Sequence, residues 1–321
     1  MTERITDNPD ILDLLPRLND VDAGVRRIAL IDLADLEDPD GLPWLTDALL
    51  VDASSEVRAE AARLLEAWEQ PEVVQGLCAA LADPAEAVRL AAAQSLSELK
   101  TQDAGQQILP WTNHADAFVR ASALRALREL RLEEAAEPAL RALADGDGAV
   151  RREAVGILGW LKHAAALPAL AQLAANEPDS DVRRAAIGAL GLARDGSALP
   201  ALIGALADEA WQVREEAATT LGKVGDGEAG QALIAALGDS YWQVRLRAAR
   251  ALGRLRHAAA LEALAQLLGH GIANLRKEAA LALGELGEAR ALSALQAAEA
   301  DSDPEVRKAV RIAQAQLRGV A

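Results

Sequence analysis

Apolar residues recur at one spacing along the whole chain, and the dipeptide Val-Arg marks each recurrence. Nine copies of the dipeptide and one Leu-Arg variant follow one another in steps of 31 residues, with steps of 32 at two junctions. A fixed period of this length predicts an α-solenoid, in which stacked helix pairs bury a shared core. The first residues of the ten dipeptides are Val25, Val57, Val88, Val119, Val150, Val182, Val213, Val244, Leu275 and Val306.

Each dipeptide begins a helix that has one apolar stripe. If the first residue of the dipeptide is position 0, nine copies carry Ala at +4 and Leu at +8, as in Val213, Ala217 and Leu221. Positions 0, +4, +8 and +11 lie on one side of an α-helix, so we expect this stripe to be buried. We call this second helix of each pair the Val-Arg helix.

A shorter apolar segment precedes each Val-Arg helix and predicts the first helix of the pair. It reads Ala-Leu-Pro-Ala-Leu at 166–170 and 198–202, and Gly-Leu-Pro-Trp-Leu at 41–45. Proline is tolerated in the first helical turn because no backbone donor is lost there. The prolines that predict such helix starts are Pro43, Pro168 and Pro200.

The last copy departs from the pattern, since Gln314 replaces the Leu at +8 and Val310 replaces the Ala at +4. A terminal repeat has no neighbour to cover it and is expected to turn polar residues outward. We therefore expect residues 304–321 to form a polar terminal repeat. Residues 1–321 are then predicted to form one ten-repeat domain.

The motif Val-Arg-x-x-Ala-Ala-x-x-Leu-Gly, as in 213–222 and 244–253, resembles the short HEAT-like repeat named after phycobilisome (bilin) lyase subunits. The resemblance covers essentially the whole chain. It implies an all-α fold, a right-handed α-solenoid of ten HEAT-like helix pairs whose Val-Arg helices line the concave side. Such repeats occur in bilin lyase subunits, assembly factors and adaptors, so the fold alone does not define the function.

The composition fits a helical protein and argues against several functions. Hydrophobic residues make up 51% of the 321 residues, and aromatic residues only 2%. The net charge of −16 argues against nucleic-acid binding, which needs a basic surface. No apolar run is long enough to span a membrane, and the acidic N-terminus lacks the apolar segment of a signal peptide. Because Cys78 is the single cysteine, no intramolecular disulfide can form, and we expect a cytoplasmic location.

Residues present in every copy are expected to serve the repeat itself. Arg occupies position +1 in all ten copies, and Asp or Glu occupies position −5 in eight. Because an Arg side chain can bind both oxygens of a carboxylate, we predict an acid–arginine ladder that joins adjacent repeats. His114 and His270 replace the acid in the other two copies, and we interpret them as loop residues rather than ligands or pH-sensitive groups.

Residues that differ between copies are free to bind a partner. Positions +2, +3, +6 and +10 of the Val-Arg helix share the side opposite the buried stripe, and we call this side the variable face. In repeats four to eight it combines small residues with Trp and Arg, which are the usual anchors of protein interfaces. Two Trp residues at −2 lie at its edge, with packing on the neighbouring loop as the alternative. The predicted partner-binding residues are Arg125, Arg152, Gly156, Trp160, Arg184, Gly188, Leu192, Trp211, Trp242, Arg247, Arg250 and Arg254.

The sequence contains no catalytic or metal-binding pattern. None of the four His residues is followed by Glu, and neither His-x-x-x-His nor Cys-x-x-Cys occurs, so no cofactor or metal is expected. We predict a non-catalytic scaffold, adaptor or assembly factor that binds an acidic and apolar protein segment on the concave face of repeats four to eight. Neither nucleic acid nor a membrane is expected as a partner. The alternative, implied by the resemblance, is a bilin lyase subunit or related tetrapyrrole-binding maturation factor.

Overall fold

The structure, a computed structural model, describes residues 6–192 and 196–319. Every regular element among these residues is helical, which confirms the predicted all-α class. The chain divides into two compact units, Met1–Leu161 and Lys162–Ala321. That residues 1–321 form one domain stays a prediction.

The first unit consists of five helix pairs. Each first helix packs against the Val-Arg helix that follows it, and successive Val-Arg helices pack on one another. The first helices are α1 (Pro9–Leu18), α3 (Leu42–Val51), α5 (Pro71–Ala80), α7 (Gln102–Ile108) and α9 (Ala136–Ala142). The Val-Arg helices are α2 (Ala23–Asp35), α4 (Ser55–Leu64), α6 (Glu86–Ser97), α8 (Ala117–Leu130) and α10 (Gly148–Trp160).

The second unit repeats this arrangement with five further pairs, and its Val-Arg helices also pack in sequence. The first helices are α11 (Leu167–Asn176), α13 (Leu199–Gly204), α15 (Gly230–Ala236), α17 (Leu261–Leu267) and α19 (Leu292–Ala297). The Val-Arg helices are α12 (Ser180–Leu190), α14 (Trp211–Val224), α16 (Trp242–Arg254), α18 (Ala273–Leu286) and α20 (Pro304–Gly319). The predicted stacking of helix pairs is therefore present within each unit.

The apolar stripe of the Val-Arg helices forms the core of each unit. In α14, Val213, Ala217 and Leu221 are fully buried, and the corresponding residues of the other helices are buried almost without exception. The expected helix starts are also confirmed, since the first turns of α3, α11 and α13 contain Pro43, Pro168 and Pro200, respectively. The repeat pattern thus predicts both the helices and the side of each helix that is buried.

Glycine at position +9 brings the C-terminal ends of the Val-Arg helices close together in the second unit. A β-carbon added at Gly222 of α14 would lie 2.9 Å from Cβ and 3.0 Å from Cα of Ala251 in α16. One added at Gly253 would lie 2.8 Å from Cα of Ala282 in α18. Because carbon atoms normally approach to about 3.5–4.0 Å, these helices can pack so closely only where glycine is present.

The terminal repeat differs from the prediction in one respect. Gln314 of α20 does not point outward: it is only 5% exposed, and its Nε2 donates a hydrogen bond to Oε1 of Glu299 at 2.7 Å. The hydrogen bond satisfies the amide, so a polar residue can occupy the buried +8 position. The exposed polar surface of α20 comes instead from other residues, among them Lys308, Arg311 and Gln316.

Candidate functional site

Within each unit, most of the arginines at position +1 join their repeat to the next, as predicted. In six pairs, the Nε and Nη2 atoms of Arg donate to the two carboxylate oxygens of an Asp in the following repeat, at 2.6–3.0 Å. The remaining Nη1 binds the backbone carbonyl at −5 of its own repeat, as Arg58 binds Asp52 at 2.8 Å. The pairs of this acid–arginine ladder are Arg26–Asp52, Arg58–Asp83, Arg120–Asp145, Arg183–Asp208, Arg214–Asp239 and Arg276–Asp301.

The ladder pairs are largely shielded from solvent. The side chains of Arg58 and Asp83 are 13% and 10% exposed, and hydrogen bonds from Arg58 hold the pKa of the Asp83 carboxyl below its usual range. Such charge-assisted, two-pronged contacts fix geometry as well as adding stability. These arginines are therefore part of the scaffold rather than of a binding surface.

The two histidines at −5 form hydrogen bonds with the backbone of their loops. His114 Nδ1 accepts a hydrogen bond from the backbone N–H of Asp116, and His270 Nδ1 accepts one from Ile272, both at 3.1 Å. In the acidic copies a carboxylate oxygen occupies the same place, as Asp83 does toward Ala85 at 2.8 Å. His114 and His270 therefore have a role in the loop backbone, and that they are neither ligands nor pH-sensitive groups stays a prediction.

In the first unit, two predicted arginines and Arg128, which was not predicted, surround a buried acid on the variable face. Glu153 of α10 is 3% exposed, and it lies 3.3 Å from Arg125, 3.0 Å from Arg128 and 3.4 Å from Arg152. A buried carboxylate needs such partners, because an unpaired charge is costly to bury. Arg125 and Arg152 are thus paired by the protein itself, but they share one carboxylate, and each side chain keeps more than 40% of its surface exposed.

Gly156 and Trp160 of α10 have different surroundings. The space above Gly156 is occupied by a neighbouring side chain, since a β-carbon there would lie 3.0 Å from Cδ of Arg128. Trp160 is 45% exposed, and the Arg131 guanidinium lies over its ring at 4.9 Å from the centroid. Trp160 therefore presents a large aromatic surface to solvent at the C-terminal end of α10.

In the second unit, the variable face begins with a weakly paired arginine. Arg184 of α12 lies 3.9 Å from Glu216 of α14, and about half of its side chain is exposed. A β-carbon at Gly188 would make only an ordinary contact with Glu216, at 3.5 Å. Leu192, just beyond α12, is 39% exposed. This stretch is partly exposed and partly apolar.

The arginines of α16 differ in how they are paired. Arg247 donates to Glu215 at 2.9 Å, and Arg250 donates two hydrogen bonds to the buried Glu278 of α18, both at 2.7 Å. The hydrogen bonds to Glu278 raise the pKa of Arg250, so this guanidinium stays charged. Arg254 is exposed and has no ion pair with any described residue.

The two tryptophans at −2 are placed differently from each other. Trp211 stacks on Tyr241 of the next repeat, with ring centroids 5.5 Å apart and planes 13° from parallel, so inter-repeat packing accounts for much of its position. Trp242 is 37% exposed. Trp242 begins α16 and Arg254 ends it, and a rise of 1.5 Å per residue separates them by about 18 Å. Trp242 and Arg254 therefore lie at opposite ends of this helix, with Arg247 and Arg250 between them.

A cleft between α14 and α16 adds a residue that the sequence analysis missed. The cleft has a volume of about 220 Å³, and we call it the basic cleft because Lys223, Arg247, Arg250 and Arg254 line it together with Ala218, Thr219, Gly222 and Ala251. Lys223 has no ion pair with a described residue. Its position, +10, is the same as that of Arg254 in the next repeat, and this shared position was the signal that could have identified it.

Side chains suited to catalysis or metal binding are not gathered in the described residues. No group of three or more His, Cys, Asp or Glu side chains there is arranged to hold a metal ion. Burial raises the pKa of the Cys78 thiol to about 12, so this thiol is not a ready nucleophile. No helix among the described residues is both long and apolar enough to cross a membrane.

The stacked helix pairs and the constant Arg contacts between them define an α-helical repeat protein of the solenoid class. The sequence profile of HEAT repeats matches residues 11–97, 105–191, 168–242 and 230–315. The chain therefore belongs to the HEAT repeat family. That it belongs to the phycobilisome lyase type stays a prediction.

Solved structures with the same fold come from varied proteins. An engineered protein is 22% identical, with 97% of this chain and 99% of that chain covered and a TM-score of 0.55. YibA from Escherichia coli is 21% identical, with 84% and 98% covered and a TM-score of 0.62. Kap95, in its complex with Nup1, is 14% identical, with 97% and 50% covered and a TM-score of 0.67. These identities show a common fold alone, and no curated protein matches the chain.

Proposed function

We propose that this protein is a non-catalytic binding scaffold, an adaptor or assembly factor whose variable face binds a protein segment of acidic and apolar character. The exposed tryptophans carry the proposal. Trp160 and Trp242 keep 45% and 37% of their surface in solvent, although the core of this protein is built almost wholly of Ala, Leu and Val. Trp and Arg are typical of the residues that dominate binding energy at protein interfaces, and Arg131 lies over the ring of Trp160.

The fold supports the same proposal. Structures that share it include Kap95p bound to RanGDP and Kap95 bound to Nup1, so this architecture binds protein partners in other chains. Stacked repeats present long, regular surfaces on which residues can vary without disturbing the core. The paired arginines of the variable face remain available as rim contacts, because their side chains are still partly exposed.

The tetrapyrrole-binding alternative has less support. It needs arginines free to bind propionates, but Arg125, Arg152, Arg247 and Arg250 are paired with carboxylates. An absorbance titration with a linear tetrapyrrole discriminates the two functions, since a scaffold gives no spectral change.

The proposal is tested by quantitative affinity purification from the native host. We expect a protein partner that the wild type recovers and that Trp160→Ala or Trp242→Ala recovers at least tenfold less. The control is Val21→Ala with Val51→Ala, which removes exposed apolar surface outside the variable face. Equal recovery of every protein by the wild type and both Trp variants would refute the proposed binding face.

A further inference from the structure

The acidic charge of the protein is concentrated in its first unit. Residues 1–161 contain 30 acidic and 15 basic side chains, whereas residues 162–321 contain 19 acidic and 18 basic ones. The net charge of −16 is therefore no guide to the second unit, which is close to neutral. A negatively charged partner is repelled by the first unit and meets little net repulsion at the second.

Within the second unit, positive charge is gathered at the basic cleft. Lys223, Arg247, Arg250 and Arg254 line this cleft, and Glu215 and Glu278 neutralise Arg247 and Arg250. Lys223 and Arg254 form no ion pair with any described residue. Two cationic side chains from neighbouring helices thus border one cleft without an ion pair to a described residue.

The size of the cleft restricts what it can hold. About 220 Å³ is enough for one side chain but below the usual volume of a small-molecule site. Gly222 of α14 and Ala251 of α16 are in close contact, and both line the cleft. A second cavity of about 630 Å³ adjoins the cleft, and Arg254 lines both; Arg256 and Glu285 are the other charged residues that line this second cavity.

We infer that the basic cleft binds an acidic side chain of a protein partner, with Lys223 and Arg254 as the contacts to its carboxylate and the adjoining cavity holding the partner backbone. This inference rests on the proposed scaffold function and names the chemistry of its partner. Charge complementarity carries it: a carboxylate satisfies both unpaired cations, whereas a basic segment would add like charge. Arg247 and Arg250 retain unused N–H donors but are already held by their own acids.

A purely structural role for the two cations makes a different prediction. Lys223 and Arg254 both lie in the last turn of their helices, where a positive charge interacts favourably with the helix dipole. If this were their only role, their removal would lower stability slightly and leave ligand binding unchanged. Binding and stability must therefore be measured on the same variants.

The test is a fluorescence anisotropy titration of the full chain with a fluorescein-labelled peptide of six glutamates. We expect saturable binding that weakens as salt is raised, and a Kd at least tenfold weaker in Lys223→Ala/Arg254→Ala. The matched control is Lys308→Ala/Arg311→Ala, which removes one exposed Lys and one exposed Arg from α20 of the same unit. We expect the control to stay within twofold of the wild type, and Lys223→Arg/Arg254→Lys to retain binding.

Several outcomes would overturn the inference. The inference is wrong if the glutamate peptide does not bind, or if the control variant loses as much affinity for it as Lys223→Ala/Arg254→Ala does. It is also wrong if a six-lysine peptide or a six-nucleotide thymidine oligomer binds more tightly than the glutamate peptide. Circular dichroism and a urea midpoint within error of the wild type show that a loss of binding is not a loss of fold. If a partner is recovered through Trp160 and Trp242 while the glutamate peptide fails to bind, the cleft assignment is wrong and the scaffold function stands.

Discussion

Replacing Gly222 by Ala tests whether glycine at +9 controls the spacing of the Val-Arg helices. The new β-carbon would lie 2.9 Å from Cβ and 3.0 Å from Cα of Ala251, and both atoms belong to a rigid helix rather than to a flexible side chain. To restore normal contact, α14 and α16 must separate by roughly 0.5–1 Å. Each is also packed against another Val-Arg helix, α12 or α18, so the movement strains two interfaces.

The expected magnitude follows from two opposing effects. Forcing an extra methyl group into a tightly packed contact costs about 1–3 kcal/mol, whereas Ala is favoured over Gly within a helix by about 1 kcal/mol. Gly204→Ala is the matched control, because Gly204 has helical dihedral angles and nothing lies within 4 Å of an added β-carbon. At Gly204 only the higher helix propensity of Ala applies, so the free energies of unfolding of the two variants should differ by about 1–3 kcal/mol.

Urea unfolding followed by far-ultraviolet circular dichroism measures this difference. Because repeat arrays can unfold in parts, hydrogen exchange of α14 and α16 should accompany the midpoints. We expect Gly222→Ala to have the lower midpoint and faster exchange in these two helices, and Gly204→Ala to be at least as stable as the wild type. If Gly222→Ala is as stable as Gly204→Ala, close packing at +9 is not what the glycine provides.

Three further predictions concern the scaffold. Arg58 lowers the pKa of Asp83 in the folded state, so the ionised Asp83 stabilises the protein above the unfolded pKa of about 3.9, and this stabilisation is lost as pH falls through the lower, folded pKa. Asp83→Asn should therefore lower the urea midpoint at pH 7, and the midpoint of this variant should decline less than that of the wild type below about pH 5. An unchanged acid profile would contradict this. Glu37 has a φ of 51°, so Glu37→Gly should stabilise the protein by about 0.5–1 kcal/mol, and a lower midpoint would refute the strain. Tyr241→Ala removes the ring stacked on Trp211 and should cost about 0.5–1.5 kcal/mol and shift the tryptophan emission, whereas no change in either would argue against the stack.

Much of the fold could be predicted because one physical constraint recurs ten times. Every Val-Arg helix must bury a stripe against two neighbours, so Val, Ala and Leu return at 0, +4 and +8, and the helices and their buried sides follow from that spacing. The acid–arginine ladder was predictable for the same reason. Gln314 was not, because its burial depends on a single hydrogen bond to Glu299 that no repeat pattern contains.

The candidate site was less predictable because its contacts are particular to single repeats. Arg250, at +6 of one repeat, pairs with Glu278, at +3 of the next repeat and 28 residues further along the chain. Among the ion pairs described, only Arg125 and Glu153 have the same two positions. The sequence therefore suggested free arginines at positions where the structure pairs the arginine with a carboxylate. Lys223 was missed because its importance depends on Arg254 lining the same cleft.

The central claim is that the partner binds the variable face of the Val-Arg helices. Hydrogen exchange of the full chain, with and without the partner recovered from the host, tests this claim most directly. The account predicts added protection in the Val-Arg helices that carry the candidate residues, which are α8, α10, α12, α14 and α16, with little change in first helices such as α13 and α15. Protection confined to the first helices would contradict it.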